Sequence, residues 1–113
     1  MIVPPDGGER LERGARYHRV LAELPELEVA DLRFGPGFVV DPHVHDDHAD
    51  NFYVLEGEAE FAYEDEIVRG GPGTWVSVPP GTRHGFRNAG DGDLRVLNIH
   101  APRVGFVAEL REP

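Results

Sequence analysis

His43-Val44-His45-Asp46-Asp47-His48-Ala49-Asp50 gathers three of the chain's six histidines and three carboxylates into eight consecutive residues. In an extended strand, residues i and i+2 project from the same face. His43 and His45 would therefore stand side by side, as two ligands of one metal ion must. Asp50 can reach the same centre through a short loop, and His84, far along the chain, can close it from another strand. Neutral imidazole with carboxylate suits a divalent transition ion such as Fe, Mn, Ni, Cu, Co or Zn. The pair alone is equally compatible with surface histidines in an acidic loop, so the surrounding sequence has to decide.

Outward from this stretch the chain reads as short apolar runs separated by glycine and proline. Gly35-Pro36-Gly37 turns into Phe38-Val39-Val40, which Pro42 stops. Residues 51–55 and 58–63 flank Glu56-Gly57 as a hairpin. Gly70-Gly71-Pro72-Gly73 leads into a strand over 74–78, which ends at Pro79-Pro80-Gly81. Residues 82–87 and 94–100 follow as strands, and 106–110 as a last strand or short helix. Further strands are expected at 17–22 and 27–34. Roughly nine to eleven short strands with turns at this spacing indicate a barrel or sandwich. Residues 1–15 read as an N-terminal arm, with one helical turn from Glu9 to Ala15, and residues 16–113 as a single domain.

The spacing carries a further signal. Gly37, five residues, His43-Val44-His45, four residues, Asp50, six residues and Gly57 resemble the first cupin motif. Gly73, five residues, Pro79-Pro80-Gly81, two residues, His84, three residues and Asn88 are similar to the second. The fold this resemblance implies is an all-β cupin-type barrel, a double-stranded β-helix or jelly roll with little helix. Its implied metal ligands are His43, His45, Asp50 and His84. The family has Glu where this chain has Asp50, one methylene shorter, and His48 is the alternative fourth ligand. Position favours Asp50. The motifs span residues 37–88, and the resemblance specifies a fold far better than an activity, because this fold hosts many.

Composition narrows the chemistry. The chain has no cysteine, and all eleven basic residues are arginine. Thiol nucleophiles, disulfides and lysine Schiff bases are therefore excluded. The only serine is Ser77, outside any nucleophile-elbow motif. A net charge of −10 disfavours nucleic acid and anionic membranes as partners. The first residues lack the pattern of a signal peptide, which makes the cytoplasm the expected location.

If the metal faces the barrel interior, Phe52 and Val54 share a face with Asp50, and Phe86 shares one with His84. They would form an apolar substrate pocket. Phe61, Tyr63 and Trp75 are expected on the outer face, His18 at an edge, and His100 as a hydrogen-bonded structural histidine. Two functional readings follow. One is a metal-dependent enzyme, oxygenase-like or isomerase-like, acting on a small organic molecule. The other is a non-catalytic module that binds or senses a small molecule or metal. The segment before Pro25 is expected to cover a sheet edge or to support a homodimer.

Overall fold

The computed structural model describes residues 1–13 and 16–112. Among these residues ten strands precede one helix: β1 (Glu9–Arg13), β2 (Arg16–Glu23), β3 (Glu28–Phe34), β4 (Val39–His43), β5 (Ala49–Glu56), β6 (Ala59–Tyr63), β7 (Glu66–Gly70), β8 (Trp75–Val78), β9 (His84–Asn88), β10 (Leu94–Ala101) and α1 (Phe106–Arg111). They form two antiparallel sheets. One has the order β1-β2-β3-β10-β5-β8, the other β4-β9-β6-β7. No helix among the described residues is long and apolar enough to cross a membrane.

Alternation explains how the sheets meet. On β10, Leu94, Val96, Asn98 and His100 are buried, and the residues between them are half-exposed. On β5 the inward set is Asp50, Phe52 and Val54. Leu32 and Phe34 of β3, Phe61 of β6, Val78 of β8 and Phe86 of β9 complete the core between the sheets. Phe61 is 3% exposed, so its side chain faces inward, contrary to the expectation from sequence. It packs on Phe52 and Phe86, the inward residues of β5 and β9. Tyr63 also packs against this core, and Trp75 alone of the three is largely exposed.

Two glycines make the close approaches possible. Gly57, at φ +82°, turns the β5–β6 hairpin where a side chain would strike the Asp93 carbonyl. Gly85 lies against β4, and a Cβ there would come within 2.6 Å of the Val40 carbonyl oxygen. The β4–β9 register shifts at this place, between Val40 and His43.

The N-terminal segment differs from its reading as a helical turn. Glu9–Arg13 is a strand, paired antiparallel with β2 at the margin of the larger sheet; residues 14 and 15 lie outside the described residues. Leu11 and Val20 pack with Val107 of α1 in a small second cluster. The expected strand or helix at the C-terminal end is the helix α1.

Glu28 fixes that helix. Its carboxylate is fully buried and accepts hydrogen bonds from the backbone N–H groups of Val104, Gly105, Phe106 and Val107 at 2.7–3.3 Å. Burial opposes the charge, but the four donors outweigh it and hold the Glu28 pKa below its ordinary value of 4.5. A depressed carboxylate pKa contributes stability that is present above the unfolded value and lost as pH falls through the folded one. Glu28→Gln is therefore expected to cost roughly 2–3 kcal/mol at pH 7, the scale of a charged buried hydrogen-bonding group. Urea unfolding at several pH values checks this: the gap to the native chain should narrow below pH 4.5.

Candidate metal centre

The inward faces of β5 and β10 change character along their length. Val54 lies opposite Val96 in the register, Phe52 opposite Asn98, and Asp50 opposite His100. Apolar pairs at one end of the strands thus give way to polar ones at the other. β9 repeats the change, from Phe86 to His84, and His84 is in register with His43 of β4.

His43 ends β4, and His45 lies just beyond it in the connection to β5. The two histidines therefore do not share one strand, as their spacing suggested. A continuous strand would also have turned Asp50 to the opposite face from His45. The bend across residues 46–48 restores it. His43, His45, Asp50 and His84 each direct one ligand atom to a common point, with all four atoms within 4.8 Å of one another. His43 Nε2 lies 2.9 Å from His45 Nε2, His84 Nε2 lies 3.0 Å from Asp50 Oδ2, and His45 Nε2 lies 3.6 Å from the same oxygen. Donors bound at about 2.1 Å to one ion and at right angles would stand about 3 Å apart.

The tautomers agree with that geometry. His43 Nδ1 donates to the Asp41 carbonyl and His84 Nδ1 to the Thr82 carbonyl, each at 2.9 Å. In the neutral rings both Nε2 atoms are then lone-pair donors turned toward the centre. Backbone carbonyls holding the far nitrogen are the usual support of a ligating histidine. Without a cation, His84 Nε2 and the Asp50 carboxylate would face each other as two acceptors unless the ring is protonated. The residues present form a cluster able to hold a metal ion.

Electrostatics follow from burial. Asp50 is 4% exposed. Burial disfavours its charge, but the bonds from His84 and from Asn98 Nδ2, the latter at 2.7 Å, and the nearby His100 keep its pKa below the ordinary carboxylate value. Burial likewise opposes charge on His84, but the bonds to Asp50 and Thr82 outweigh it and raise its pKa. His45 is pushed down by burial and then by its imidazole neighbours. Burial pushes His100 down to about 4.

A cavity of about 430 Å³ opens from this cluster between the sheets, with α1 along one wall. Phe52 and Phe86 line it. Val54 shares their inward side but sits deeper, opposite Val96 in the packed core, and does not line the cavity. His48 is buried beside the four-residue cluster and outside it, its Nδ1 bonded to Asp47 at 2.8 Å. Two further histidines border the cavity. His18, expected at an edge, is 1% exposed and meets the Phe34 ring edge to face. It lies on β2, the strand expected over 17–22, and is paired with Leu11 of β1, a strand that the irregular N-terminal sequence did not reveal. His100 bonds Asn98 Oδ1 through Nε2 at 3.0 Å and stacks on Phe106 at 3.9 Å. The inward parity of β10, read past Val96 to Asn98 and His100, was the signal that could have found both.

Comparison with known proteins agrees with this architecture. The cupin domain family matches residues 30–100. Quercetin 2,3-dioxygenase of Bacillus subtilis is 30% identical over 90 residues, covering 76% of this chain and 27% of that protein. The chain thus spans about a quarter of the length of this relative. The structure is similar to KdgF from Halomonas sp., with a TM-score of 0.85, 26% identity, and coverage of 95% of this chain and 99% of the other. A predicted oxalate decarboxylase from Thermotoga maritima superposes with a TM-score of 0.79 at 23% identity, over 90% of this chain and 99% of the other, and supports the fold. The chain belongs to the cupin family.

Asp50→Ala and His48→Ala separate the two candidate fourth ligands. Elemental mass spectrometry on each purified variant is expected to find metal depleted about tenfold or more in the first and near native in the second, the usual scale for loss of a ligand or its direct support. Equal retention in both would remove Asp50 from the ligand set.

Proposed function

We propose that this cupin is a metal-dependent enzyme that acts on a small organic molecule in the barrel, with oxygenase-like chemistry as the leading reading. The observation that carries it is the convergence of three imidazoles and one carboxylate at the polar end of an otherwise aromatic-lined cavity. His43, His45, Asp50 and His84 would hold one divalent ion, from among Fe, Mn, Ni, Cu and Zn. When bound, such an ion supplies a Lewis-acid centre with open positions for substrate, and a redox-active one also supplies oxygen chemistry.

The chain's own residues have simpler tasks. The carbonyls of Asp41 and Thr82 hold His43 and His84 in the tautomer that presents Nε2. Asn98 holds the Asp50 carboxylate from the side away from His84. Phe52 and Phe86 exclude water and present apolar surface to the body of a ligand. An oxygenase asks little more of the protein, which accords with a chain lacking cysteine and lysine. Similarity to a quercetin 2,3-dioxygenase supports the same reading. An isomerase-like reading has its own support: His48 and His100 place two buried imidazoles beside the cluster, where proton-transfer groups would be needed.

The test begins with metal content, native chain against His84→Ala. About one equivalent of a single transition metal in the former and little in the latter is expected. Oxygen uptake is then followed with flavonols and smaller phenols on protein loaded with Fe, Mn, Ni or Cu. Substrate-dependent uptake, absent from His84→Ala, is the expected result. Substrate consumption without oxygen uptake would transfer the assignment to the isomerase-like class, and bound metal with ligand binding but no turnover would make the chain a binding module.

A further inference from the structure

We propose that His48 and His100 form a second docking point in the cavity, separate from the metal donors, which accepts hydrogen bonds from hydroxyl groups of a neutral ligand with an apolar body. This rests on the cavity being the place where a small organic molecule binds, and it names the chemistry that the molecule must carry.

Asn98 Nδ2 donates to Asp50 Oδ1 at 2.7 Å and to the Asn51 carbonyl at 2.9 Å, so its Oδ1 is an acceptor. His100 Nε2 lies 3.0 Å from that oxygen and 3.3 Å from Asp50 Oδ1. Facing two acceptors, Nε2 must carry the proton, and Nδ1 of the neutral ring is left as an acceptor. His48 is the mirror case: Nδ1 faces the Asp47 carboxylate at 2.8 Å, which places the proton there and leaves Nε2 as an acceptor. Both residues are 5% exposed, and neither remaining nitrogen has a hydrogen-bond partner. A buried acceptor without a donor costs about 1–3 kcal/mol. The two rings, stacked 4.8 Å apart at 22°, both line one cavity.

The surroundings select the ligand. Two acceptors call for two donors, and hydroxyl groups supply them. Asp47, Asp50 and Glu109 border the cavity and, among the described residues, no arginine does, so an anionic group would find acidic neighbours there. Phe34, Phe38 and Phe106 add to the apolar lining and favour a ligand with a flat apolar body. His100 is itself braced by Phe106, stacked at 3.9 Å and 8°, so its acceptor is held in place before a ligand arrives.

Calorimetric titration with catechol and with its dimethyl ether tests the proposal. Metal-stripped protein is used, so that chelation by a bound ion does not contribute. The native chain should bind catechol more tightly than the ether, a comparison that needs no variant. His48→Phe and His100→Phe keep a stacked ring and remove the acceptor; each should weaken catechol about fivefold to tenfold, the worth of one hydrogen bond, and leave the ether unchanged. His48→Gln and His100→Gln, which restore an acceptor, should recover most of the loss. Equal affinity of the native chain for catechol and ether, or of the Phe variants and the native chain for catechol, would overturn the proposal. So would loss of the metal equivalent from either Phe variant, because the pair would then be metal ligands. Because the titrations use metal-stripped protein, their outcome does not depend on whether the metal reading holds.

Discussion

A carboxylate taken almost wholly out of water has to be paired, and in this molecule that carboxylate is Asp50. At 4% exposure its charge is sustained by His84 on one oxygen and by Asn98 on the other, with His45 and His100 within 3.6 Å. Leaving such a group unpaired would cost several kcal/mol. The partners come from three places in the chain: His84 from β9, Asn98 and His100 from β10, His45 from the connection after β4. The ion network is therefore also a statement about assembly. Asp50 is satisfied only when β5 has paired with β10 and the smaller sheet has closed over it.

The same logic acts at the neighbouring end of β3. Glu28 is in register with His100 across the β3–β10 ladder, as Asp50 is across the β5–β10 ladder. Glu28 is satisfied by backbone N–H groups at the start of α1 rather than by side chains. That clip sets the position of Phe106, whose ring covers His100. One buried carboxylate thus orders the cluster able to hold a metal ion and the other orders the wall of the cavity. Both lie in the larger sheet, whose paired strands form the more extensive surface. Among the described residues at this polar end, Asp50 and Glu28 each have donors, whereas His48 Nε2 and His100 Nδ1 have no partner.

Much of this was legible in the sequence. The glycine and proline spacing around His43, His45 and His84 specified the barrel, and the i, i+2 pattern of β5 and β9 assigned Asp50, Phe52, His84 and Phe86 to one interior. What escaped was set by contacts between distant elements. Glu9–Arg13 has no apolar alternation, and becomes a strand because β2 offers it a free edge. Phe61 faces inward because β9 presents Phe86 opposite it, a pairing that local sequence does not encode. Val54 has the right parity, but depth along a strand is decided by where the cavity ends. His18 is buried by neighbours that are remote from it in the chain. Asp50 was placed in the site by its position in the motif; simple alternation from His45 points it away, and it is the bend at 46–48 that turns it to the shared face.

His100 shows how the network settles the state of a group that no single contact determines. It stands between two buried carboxylates in register, a setting that would ordinarily favour an imidazolium. Its pKa instead falls to about 4, because burial dominates, and the carboxylates only partly offset it while His48 and His45 oppose a further positive charge. The carboxylates are also committed elsewhere, Glu28 to the helix backbone and Asp50 to His84 and Asn98. His45 is depressed for the same two reasons, burial and neighbouring imidazoles. Burial, seconded by neighbouring imidazoles, therefore favours the neutral form of His100 and His45. Neutral imidazole is the form that binds a transition ion and the form that accepts a hydrogen bond. His45 in the cluster and His100 beside it thus draw on one physical cause: burial among other imidazoles, with the nearby carboxylates committed to other partners.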